Sequence, residues 1–417
     1  MRRFPEVTFG RTLKLLSAPS LIAIGVSIAA STAASASGTT STWTVAQAGK
    51  HAVLGWLDGV DCVTATDCVA VGNESPATGP TEPLVDTLNH GSWSATTAPL
   101  ARGSQGDYLF SVSCPSIGSC VAVGYYFTPV GNGGKGTILI ETLANRRWSV
   151  TTTPSLGSNA SDSFLYGVSC TTPSSCVAVG NTDHGDSSTD QPLLLTRVNG
   201  RWAVSRSPSL NAQSGGLLAV SCASSTACIA SGYQATSKAI KTLVENRIGS
   251  SWSVTTSAGS GGSTPNYGAI GLAGISCVSA TACTAVGQLT GPGPVVEIKA
   301  NGRWSLASSP APNAKDRATG LYGVSCAATT SCTAVGDVAQ QFSSSAPDGA
   351  FGDPTGTLIE TDAGGKWAVA ANPSGLPPNS GLHAVSCAGQ TCVAVGQSGQ
   401  ASAAGPSTTM TLIVQTM

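Results

Sequence analysis

The chain has 417 residues, a net charge of −1 at pH 7 and only 10% charged residues, against about 25% in an average soluble domain. There is no excess of Lys and Arg to neutralise phosphates, which argues against a nucleic-acid binder. There is also no high net charge to keep the chain disordered. With 50 glycines and 5% aromatic residues, the composition favours a large, glycine-rich, secreted β protein.

Residues 1–36 have the pattern of a secretory signal peptide. A basic start is followed by an apolar run of about 16 residues from Leu15 to Ala30, and Ala34-Ser35-Ala36 fits the small-residue cleavage pattern. The alternative is a membrane anchor, but a spanning helix needs about 20 residues. We therefore expect cleavage near Ala36 and no stable membrane span. Because four basic residues and Glu6 are removed, the mature chain, residues 37–417, has a net charge of −4.

Fourteen cysteines fall into seven close pairs and mark seven repeats along the chain. Six pairs have five intervening residues and the last has four, and the repeat length is about 54 residues. That length is the size of a four-stranded propeller blade. The seven pairs are Cys62 with Cys68, Cys114 with Cys120, Cys170 with Cys176, Cys222 with Cys228, Cys277 with Cys283, Cys326 with Cys332, and Cys387 with Cys392.

Each pair lies at the two ends of the first predicted hairpin of its repeat, so we expect one local disulfide per repeat. Export favours oxidation, and closing a loop this short contributes roughly 2 kcal/mol by the chain-entropy estimate. Metal binding is the alternative, but each pair offers only two ligands and the chain contains only four histidines. We therefore expect no metal and no other cofactor.

Each repeat contains four short runs of small and β-branched residues bounded by turn residues, the pattern of four β-strands. In the third repeat these runs are Leu165–Cys170, Cys176–Gly180, Leu193–Val198 and Arg201–Ser205. A two-residue turn, in most repeats suited to positive φ, joins the third and fourth strands. A tryptophan that we expect to pack in the core follows the turn. These tryptophans are Trp93, Trp148, Trp202, Trp252, Trp304 and Trp367.

The seventh repeat lacks its own fourth strand, and a matching strand occurs at the other end of the chain. The last repeat stops at a third strand, Thr411–Gln415, whereas the mature chain begins with Ser41–Val45, which contains Trp43. We expect this N-terminal strand to complete the last blade, which closes the ring and removes sheet edges. Seven cysteine pairs and seven tryptophans thus predict, independently, an all-β, seven-bladed propeller of four-stranded antiparallel blades.

On these features, residues 37–417 resemble the β-propeller superfamily. The turn Asp362–Trp367 is similar to a degenerate Asp-box of the sialidase-type repeat propellers, since it keeps the Asp, a Gly and the Trp at that motif's spacing. It lacks the Ser and the Thr, and the other repeats lack the Asp. Asp-boxes are structural in that family, and no sialidase arginine triad or Tyr–Glu pair can be placed in this sequence. The resemblance therefore implies a fold rather than an activity.

Loop lengths distinguish the two faces of the expected propeller. The disulfide-bridged hairpins and the tight third-to-fourth turns lie on one face, the disulfide face. The long second-to-third and fourth-to-first loops lie on the other, the upper face, and such loops commonly carry function. Aromatic residues of the first three repeats gather there. They form either a platform on which sugar rings or a peptide stack, or contacts that pack the loops against each other. They are Trp56, Tyr108, Phe110, Tyr125, Tyr126, Phe127, Phe164 and Tyr166.

A second candidate feature lies on the first strand of each repeat. Five residues before the first cysteine every repeat has leucine, and the next residue varies between repeats. We expect it near the upper mouth of the axial channel, where such variation suits an asymmetric ligand; local packing explains it equally well. The seven residues are Asp58, Phe110, Tyr166, Leu218, Ala273, Tyr322 and His383. Residues after the second-strand glycine, such as Asn73 and Asp337, are also expected to face the upper side.

Catalytic signatures are sparse. No spacing singles out two carboxylates that would converge on a glycosidic bond, and nucleophile-elbow and nucleotide-binding motifs lack their strand-to-helix context. The acidic loop Asp183–Asp190 has oxygen ligands for Ca²⁺ but does not match the EF-hand pattern. The acids that recur seven residues before the tryptophan are expected to be structural, and they are Asp86, Glu141, Glu245, Glu297 and Glu360.

We therefore expect a secreted, monomeric, non-catalytic module that binds a carbohydrate or cell-envelope ligand through its upper face. A protein ligand is the closest variant of this hypothesis. The alternatives are a glycoside hydrolase or polysaccharide lyase with its site at the channel mouth, and a structural surface scaffold. The enzyme hypothesis predicts that two acids, or a histidine with an acid or arginine, converge around the channel. The binding hypothesis predicts an aromatic platform. The sequence leaves open the ligand and whether the exported protein stays at the cell surface.

Overall fold

The computed structural model describes residues 42–48, 54–130, 133–157, 160–183, 190–210, 212–236, 239–259, 271–289, 293–310, 318–339, 354–400 and 408–416. The expected signal peptide, residues 1–36, and residues 184–189 of the acidic loop lie outside this described part. The described part contains 28 β-strands and no α-helix. Accordingly, it contains no helix with the length and hydrophobicity needed to cross a membrane.

The strands form seven antiparallel sheets of four strands each, and these sheets are the blades. In blades 1–6 the four strands are consecutive in sequence. Blade 1 consists of β2 (Leu54–Thr64), β3 (Asp67–Ser75), β4 (Glu82–Asn89) and β5 (Ser92–Thr97). Blade 2 consists of β6 (Asp107–Ser116), β7 (Ser119–Val130), β8 (Gly133–Ala144) and β9 (Arg147–Val150). Blade 3 consists of β10 (Ser163–Thr172), β11 (Ser175–Thr182), β12 (Gln191–Val198) and β13 (Arg201–Ser205).

The remaining blades repeat this arrangement. Blade 4 consists of β14 (Ser214–Ser224), β15 (Ala227–Ala235), β16 (Ile240–Ile248) and β17 (Ser251–Thr255). Blade 5 consists of β18 (Gly271–Ser279), β19 (Ala282–Gln288), β20 (Pro294–Ala300) and β21 (Arg303–Ala307). Blade 6 consists of β22 (Ala318–Ala328), β23 (Ser331–Ala339), β24 (Pro354–Ala363) and β25 (Trp367–Val369). Blade 7 consists of β26 (Gly381–Ala388), β27 (Thr391–Gln400), β28 (Thr408–Thr416) and β1 (Trp43–Ala46).

The N-terminal strand closes the ring, as the sequence predicts. β1 is the outer strand of blade 7 and pairs with β28, with Trp43 opposite Thr416 and Ala46 opposite Ile413. The first strands of neighbouring blades contact one another around the ring, and β2 of blade 1 contacts β26 of blade 7.

All seven expected disulfides form, one in each first hairpin, and no cysteine of the described chain is free. Each bond joins the ends of the first and second strands of its blade, so it fixes a single hairpin and does not connect blades. The prediction of local disulfides is therefore confirmed. The bonds join Cys62 to Cys68, Cys114 to Cys120, Cys170 to Cys176, Cys222 to Cys228, Cys277 to Cys283, Cys326 to Cys332, and Cys387 to Cys392.

The hydrophobic core is divided into seven clusters, each between two neighbouring blades. In one of them Leu165 and Val168 of blade 3 pack against Ile138 and Ile140 of blade 2. Each buried aliphatic side chain contributes about 1.5–3 kcal/mol by leaving water. Every cluster contains or contacts one of the seven repeat tryptophans. The expected packing role of these tryptophans is therefore confirmed.

The second cysteine of each hairpin also belongs to this core. All seven of these residues are buried and are members of the clusters between blades, so each disulfide packs against apolar side chains as well as closing its hairpin. This burial supports a structural role for the cysteines. The seven residues are Cys68, Cys120, Cys176, Cys228, Cys283, Cys332 and Cys392.

A ring of hydrogen bonds, which we call the serine ring, joins each blade to the next. The residue before the first cysteine of a blade accepts a hydrogen bond from the backbone N–H of the first cysteine in the following blade. Ser169 Oγ accepts from Cys222 N at 3.0 Å, and Ser386 Oγ closes the ring by accepting from Cys62 N at 3.0 Å. Blade 1 uses Asp61 instead of serine. The other acceptors are Ser113, Ser221, Ser276 and Ser325.

The recurrent acids of the third strands are fully buried, and Glu245, Glu297 and Glu360 each accept a hydrogen bond from the loop that leads in from the preceding blade. Ser207 donates to Glu245 at 2.8 Å and Ser309 donates to Glu360 at 2.8 Å. Burial raises the pKa of both carboxyls to about 7, although the serine hydroxyls partly offset it. Burial, with the charge of Asp107, raises the pKa of Glu141 to about 8. The loop contacts of Glu245, Glu297 and Glu360 support the expected structural role.

Candidate functional site

The residue after the recurrent first-strand leucine is the extra residue of a β-bulge in every blade. In blade 1, Leu57 pairs with Gly72 and Gly59 pairs with Val71, so Asp58 has no opposite residue. The same register shift occurs in the other six blades. A bulge bends its strand and redirects one side chain. Here the extra side chains lie around the channel.

The bulge also explains the glycine that recurs after the second strand's apolar run. A Cβ on Gly72 would lie 2.0 Å from the carbonyl oxygen of Trp56, and a Cβ on Gly180 would lie 1.9 Å from that of Phe164. The matching glycines of the other blades are equally close to a carbonyl oxygen. Any side chain at these positions would push the first two strands apart at the bulge.

The channel has a cavity of about 310 Å³ that is lined by one bulge residue from each of the seven blades. The structure thus places all seven of these residues around the channel. The ring that the seven bulge residues form around the channel is asymmetric. Blades 6, 7 and 1 contribute the polar groups of Tyr322, His383 and Asp58, which we call the polar arc. Blades 2 and 3 contribute Phe110 and Tyr166, and blades 4 and 5 contribute only aliphatic side chains.

An ion pair lies at the centre of the polar arc. His383 Nδ1 lies 3.0 Å from Asp58 Oδ1 and 3.1 Å from the carbonyl oxygen of Leu57. Because carbonyl and ionised carboxylate oxygens only accept hydrogen bonds, the proton is assigned to Nδ1. Asn73 Nδ2 donates to Asp58 Oδ2 at 3.1 Å and fixes the carboxylate from the other side. The imidazole remains 23% exposed, and no described residue hydrogen bonds to Nε2.

Burial and neighbouring charges shift the pKa values of the ionisable groups in and behind the polar arc. Burial lowers the pKa of His383, but the hydrogen bond and charge of Asp58, with the charge of Asp337, outweigh it, and the pKa stands above its ordinary value of 6.5. Tyr322 Oη donates to Asp337 at 3.0 Å. Burial raises the pKa of Asp337 to about 6, although that bond and the charge of His383 partly offset it. A histidine with a raised pKa therefore lies close to a buried carboxyl whose pKa is raised to about 6.

Aromatic side chains of blades 2 and 3 form one contiguous surface, which we call the aromatic patch. The rings of Tyr108 and Tyr125 stack with centroids 4.8 Å apart, and Phe164 meets Tyr125 edge-on at 4.7 Å. Phe110 contacts both Tyr125 and Tyr166 at 5.6 Å, so the patch continues into the mouth. The patch consists of Tyr108, Phe110, Tyr125, Phe127, Phe164 and Tyr166, all half-buried. The rings thus pack together and also present a partly exposed surface.

Two of the expected aromatic residues lie outside the patch. Tyr126 points to the opposite side of β7 from Tyr125, because side chains alternate along a strand, and it packs against the core between blades 1 and 2. Trp56 is half-buried and makes no ring contact with the patch in the described structure. Asn73 and Asp337, expected at the upper surface, are instead buried and support Asp58 and Tyr322 from behind.

The disulfides take no part in the channel mouth. Within the described part of the chain, no cysteine lines the channel cavity. The second cysteines of blades 4–7 lie in the core between blades and are at most 8% exposed. A redox role at the mouth would need a disulfide that a ligand can reach there, so the structure supports the expected structural role. These four residues are Cys228, Cys283, Cys332 and Cys392.

No protein-family model and no curated protein matches the sequence. Among solved structures, YCF48 from Cyanidioschyzon merolae is 13% identical with a TM-score of 0.49, over 90% of this chain and 98% of that chain. A mutant of the Aleuria aurantia lectin in complex with alpha-methyl-L-fucoside is 12% identical, with a TM-score of 0.42 over 81% and 97% of the two chains. Trypanosoma rangeli sialidase is 8% identical, with a TM-score of 0.44 over 90% and 55%. All three similarities are below 25% sequence identity and concern the fold alone.

Proposed function

We propose that this protein is an exported, non-catalytic binding module that takes a carbohydrate or cell-envelope polymer at the upper mouth of its channel. The observation that carries the proposal is the continuity of the aromatic patch with the polar arc. Phe110 and Tyr166 belong to both the patch and the mouth. Seven disulfides support an oxidising, extracellular location.

The chemistry of the mouth suits a sugar. A pyranose ring has an apolar face and a rim of hydroxyl groups, and binding sites commonly combine aromatic walls with a few fixed polar groups. In this arrangement one sugar ring lies against Tyr125 and Phe110. Its hydroxyls meet the outward Nε2 of His383 and the carboxylate of Asp58. The patch holds no charged side chain, which fits a neutral or weakly charged ligand.

The test uses the mature chain, residues 37–417, produced under oxidising conditions and incubated with insoluble envelope and plant polysaccharides. We expect the protein in the pellet and no released sugar in the supernatant. Tyr125→Ala should reduce retention about tenfold, since a lost aromatic anchor costs more than about 1 kcal/mol. The matched control is Tyr233→Ala, which removes an aromatic residue at the same strand position in blade 4, outside the patch. Equal retention of Tyr125→Ala and the unmodified protein would overturn the proposal.

A second candidate function, a glycoside hydrolase or polysaccharide lyase, is favoured by one observation. In the His383–Asp58 pair, a carboxylate orients an imidazole that is 23% exposed and lines the channel, which is the arrangement of a general base. Under this hypothesis Nε2 takes a proton from the substrate or from water, and Asp58 stabilises the imidazolium. Released sugar that disappears in both His383→Gln and Asp58→Asn would establish the enzyme and displace the binding module.

A further inference from the structure

A second and larger cavity lies in a cleft between blades 1 and 2 on the disulfide face. Its volume is about 850 Å³, within the range of about 300–1,000 Å³ that is usual for small-molecule sites. Leu88, Ala98, Leu143 and Trp148 supply apolar walls. Its rim is formed by turn residues of the two blades, and they include Asp67, His90, Ile117, Arg146 and Arg147.

Blades 1 and 2 both have a leucine, Leu88 and Leu143, at a cleft position where blades 3, 4 and 5 have a long basic side chain. Leu143 lies opposite Trp148 in the strand pairing of blade 2. The equivalent residues of blades 3, 4 and 5 are Arg197, Arg247 and Lys299. Lys299 Nζ crosses to blade 4, where it lies 3.3 Å from Asn246 Oδ1. Arg197 extends over Trp202, with its Cζ 6.0 Å from the ring centroid. These long side chains fill the space that Leu143 leaves empty.

The turn above the cleft contains a strained residue. Arg146 is the second residue of the turn between β8 and β9 and has φ of 63°. Most matching turns place glycine there, as with Gly91, Gly200 and Gly302. A left-handed conformation is unfavourable for a side chain such as arginine, and strain of this kind is usually retained where a function requires the residue.

The free polar groups at the rim are hydrogen-bond donors. Arg146 and Arg147 are exposed, and no hydrogen bond or ion pair within the described chain engages either guanidinium. The acids of the cleft already have partners, since Asp67 accepts from the hydroxyls of Thr64 and Thr66. Asp61, deeper in the cleft, accepts from the backbone N–H of Cys114. The two guanidiniums are therefore the groups of the rim that remain free to pair with an anion, while the two acids hold hydrogen bonds within the protein.

We propose that this cleft binds a small amphipathic anion, such as an aliphatic or aromatic carboxylate. The apolar body lies against Leu143 and Trp148, and the anionic group lies between Arg146 and Arg147, whose guanidiniums match a carboxylate in a two-point hydrogen bond. The cleft shares no lining residue with the channel cavity.

The test titrates the mature chain with 1-anilinonaphthalene-8-sulfonate, an aromatic anion whose fluorescence rises on binding to an apolar site. Leu143→Arg introduces the side chain that occupies the equivalent space in blade 3 and should abolish the saturable signal. Dodecanoate should displace the dye at least tenfold more effectively than dodecanol. An unchanged signal in a folded Leu143→Arg protein, or equal displacement by the two aliphatic compounds, overturns the proposal.

Turn variants test the site without changing the cleft walls. Arg146→Gly should raise the melting temperature, because glycine tolerates φ of 63°, and should also weaken dye binding several-fold. Arg146→Gly combined with Arg147→Ala should weaken it at least tenfold. Arg201→Ala, at the matching turn of blade 3, should leave binding unchanged. If Arg146→Gly raises the melting temperature and the dye affinity stays the same, the arginines do not hold the anion.

Discussion

His383 in the last blade donates a hydrogen bond from Nδ1 to Asp58 in the first blade at 3.0 Å, across 325 residues of sequence. The pair therefore spans the interface at which the ring closes, and it also forms the centre of the polar arc. One interaction thus connects ring closure with the shape of the proposed ligand site. Changes at this pair should alter both stability and binding.

The contribution of this pair to stability should depend on pH. The pKa of His383 in the folded protein is raised above its ordinary value of 6.5. Stabilisation by the charged pair is therefore complete below about pH 6.5 and is lost as pH rises through the higher folded-state pKa. We expect His383→Gln to lower the free energy of unfolding by about 1–2 kcal/mol at pH 6, the size of a charge-assisted hydrogen bond. The decrease should be much smaller at pH 8.5. Urea unfolding at both pH values measures the difference. A loss that is equal at the two pH values would contradict the account.

Removing one member of the serine ring should destabilise the propeller. Ser169→Ala leaves the backbone N–H of Cys222 without its acceptor, and a buried unsatisfied donor costs about 1–3 kcal/mol. Denaturant unfolding measures this loss. Ser94 is exposed and makes only a long hydrogen bond of 3.4 Å to Thr87 O, so Ser94→Ala should change the free energy of unfolding by less than about 0.5 kcal/mol. Equal stability of the two variants would show that the ring does not join the blades.

The glycine opposite the bulge should tolerate no side chain. Gly180→Ala places a Cβ 1.9 Å from the carbonyl oxygen of Phe164, so the strands must separate at the bulge. We expect a loss of about 3 kcal/mol or more, or failure to fold. Gly356→Ala is the matched control, since a Cβ there has no atom within 4 Å. A Gly180→Ala protein with unchanged melting temperature would mean that the bulge has been placed wrongly.

Buried Glu141 should make the protein less stable as pH rises. Its pKa of about 8 in the folded protein lies above the ordinary 4.5, so its protonated form is favoured and the stability it provides is lost between those pH values. Glu141→Gln, which mimics the protonated carboxyl, should match the unmodified protein near pH 4.5. At pH 8 it should be more stable by on the order of a few kcal/mol.

Glu297→Gln provides the contrast at the same strand position in blade 5. That carboxylate accepts from the Ser257 hydroxyl and from the backbone N–H groups of Ala258 and Gly259, so the amide should destabilise the protein at pH 8. Chemical unfolding at pH 4.5 and pH 8 compares the two variants. Destabilisation of Glu141→Gln at pH 8 would contradict a buried, protonated Glu141.

The architecture was accessible from the sequence because each blade repeats its own signals. The number of cysteine pairs gives the number of blades. Trp43 marks the strand at the N-terminal end of the chain that the last repeat lacks. These features are local, since a hairpin disulfide or a turn followed by tryptophan is visible within a few residues. The position of Asp58 and His383 at the channel mouth also followed from repetition, because the same offset from the cysteine occurs in every blade.

The remaining features depend on contacts between blades, which spacing does not reveal. No particular residue type occurs at the bulge position that Asp58 occupies. The only sign of the bulge in the sequence is the glycine on the neighbouring strand. Asn73 was expected to face the upper side, but it is buried, donates to Asp58 and accepts from the backbone N–H of Leu109 in blade 2. The sequence sign of the serine ring is the serine that recurs before the first cysteine. That this serine accepts a hydrogen bond is visible only when two blades lie side by side. The cleft lies where blades 1 and 2 have leucine, Leu88 and Leu143, at the position of a long basic side chain in blades 3, 4 and 5.

The central claim is that the aromatic patch and the polar arc form one ligand site. It is tested most directly by isothermal titration of the polysaccharide fragment that the pelleting assay selects, using the unmodified protein, Tyr125→Ala, His383→Gln and the double variant. We predict that each single substitution weakens binding about tenfold and that Tyr233→Ala has no effect. If no fragment binds, or if only one of the two single substitutions weakens binding, the patch and the arc do not form a shared site.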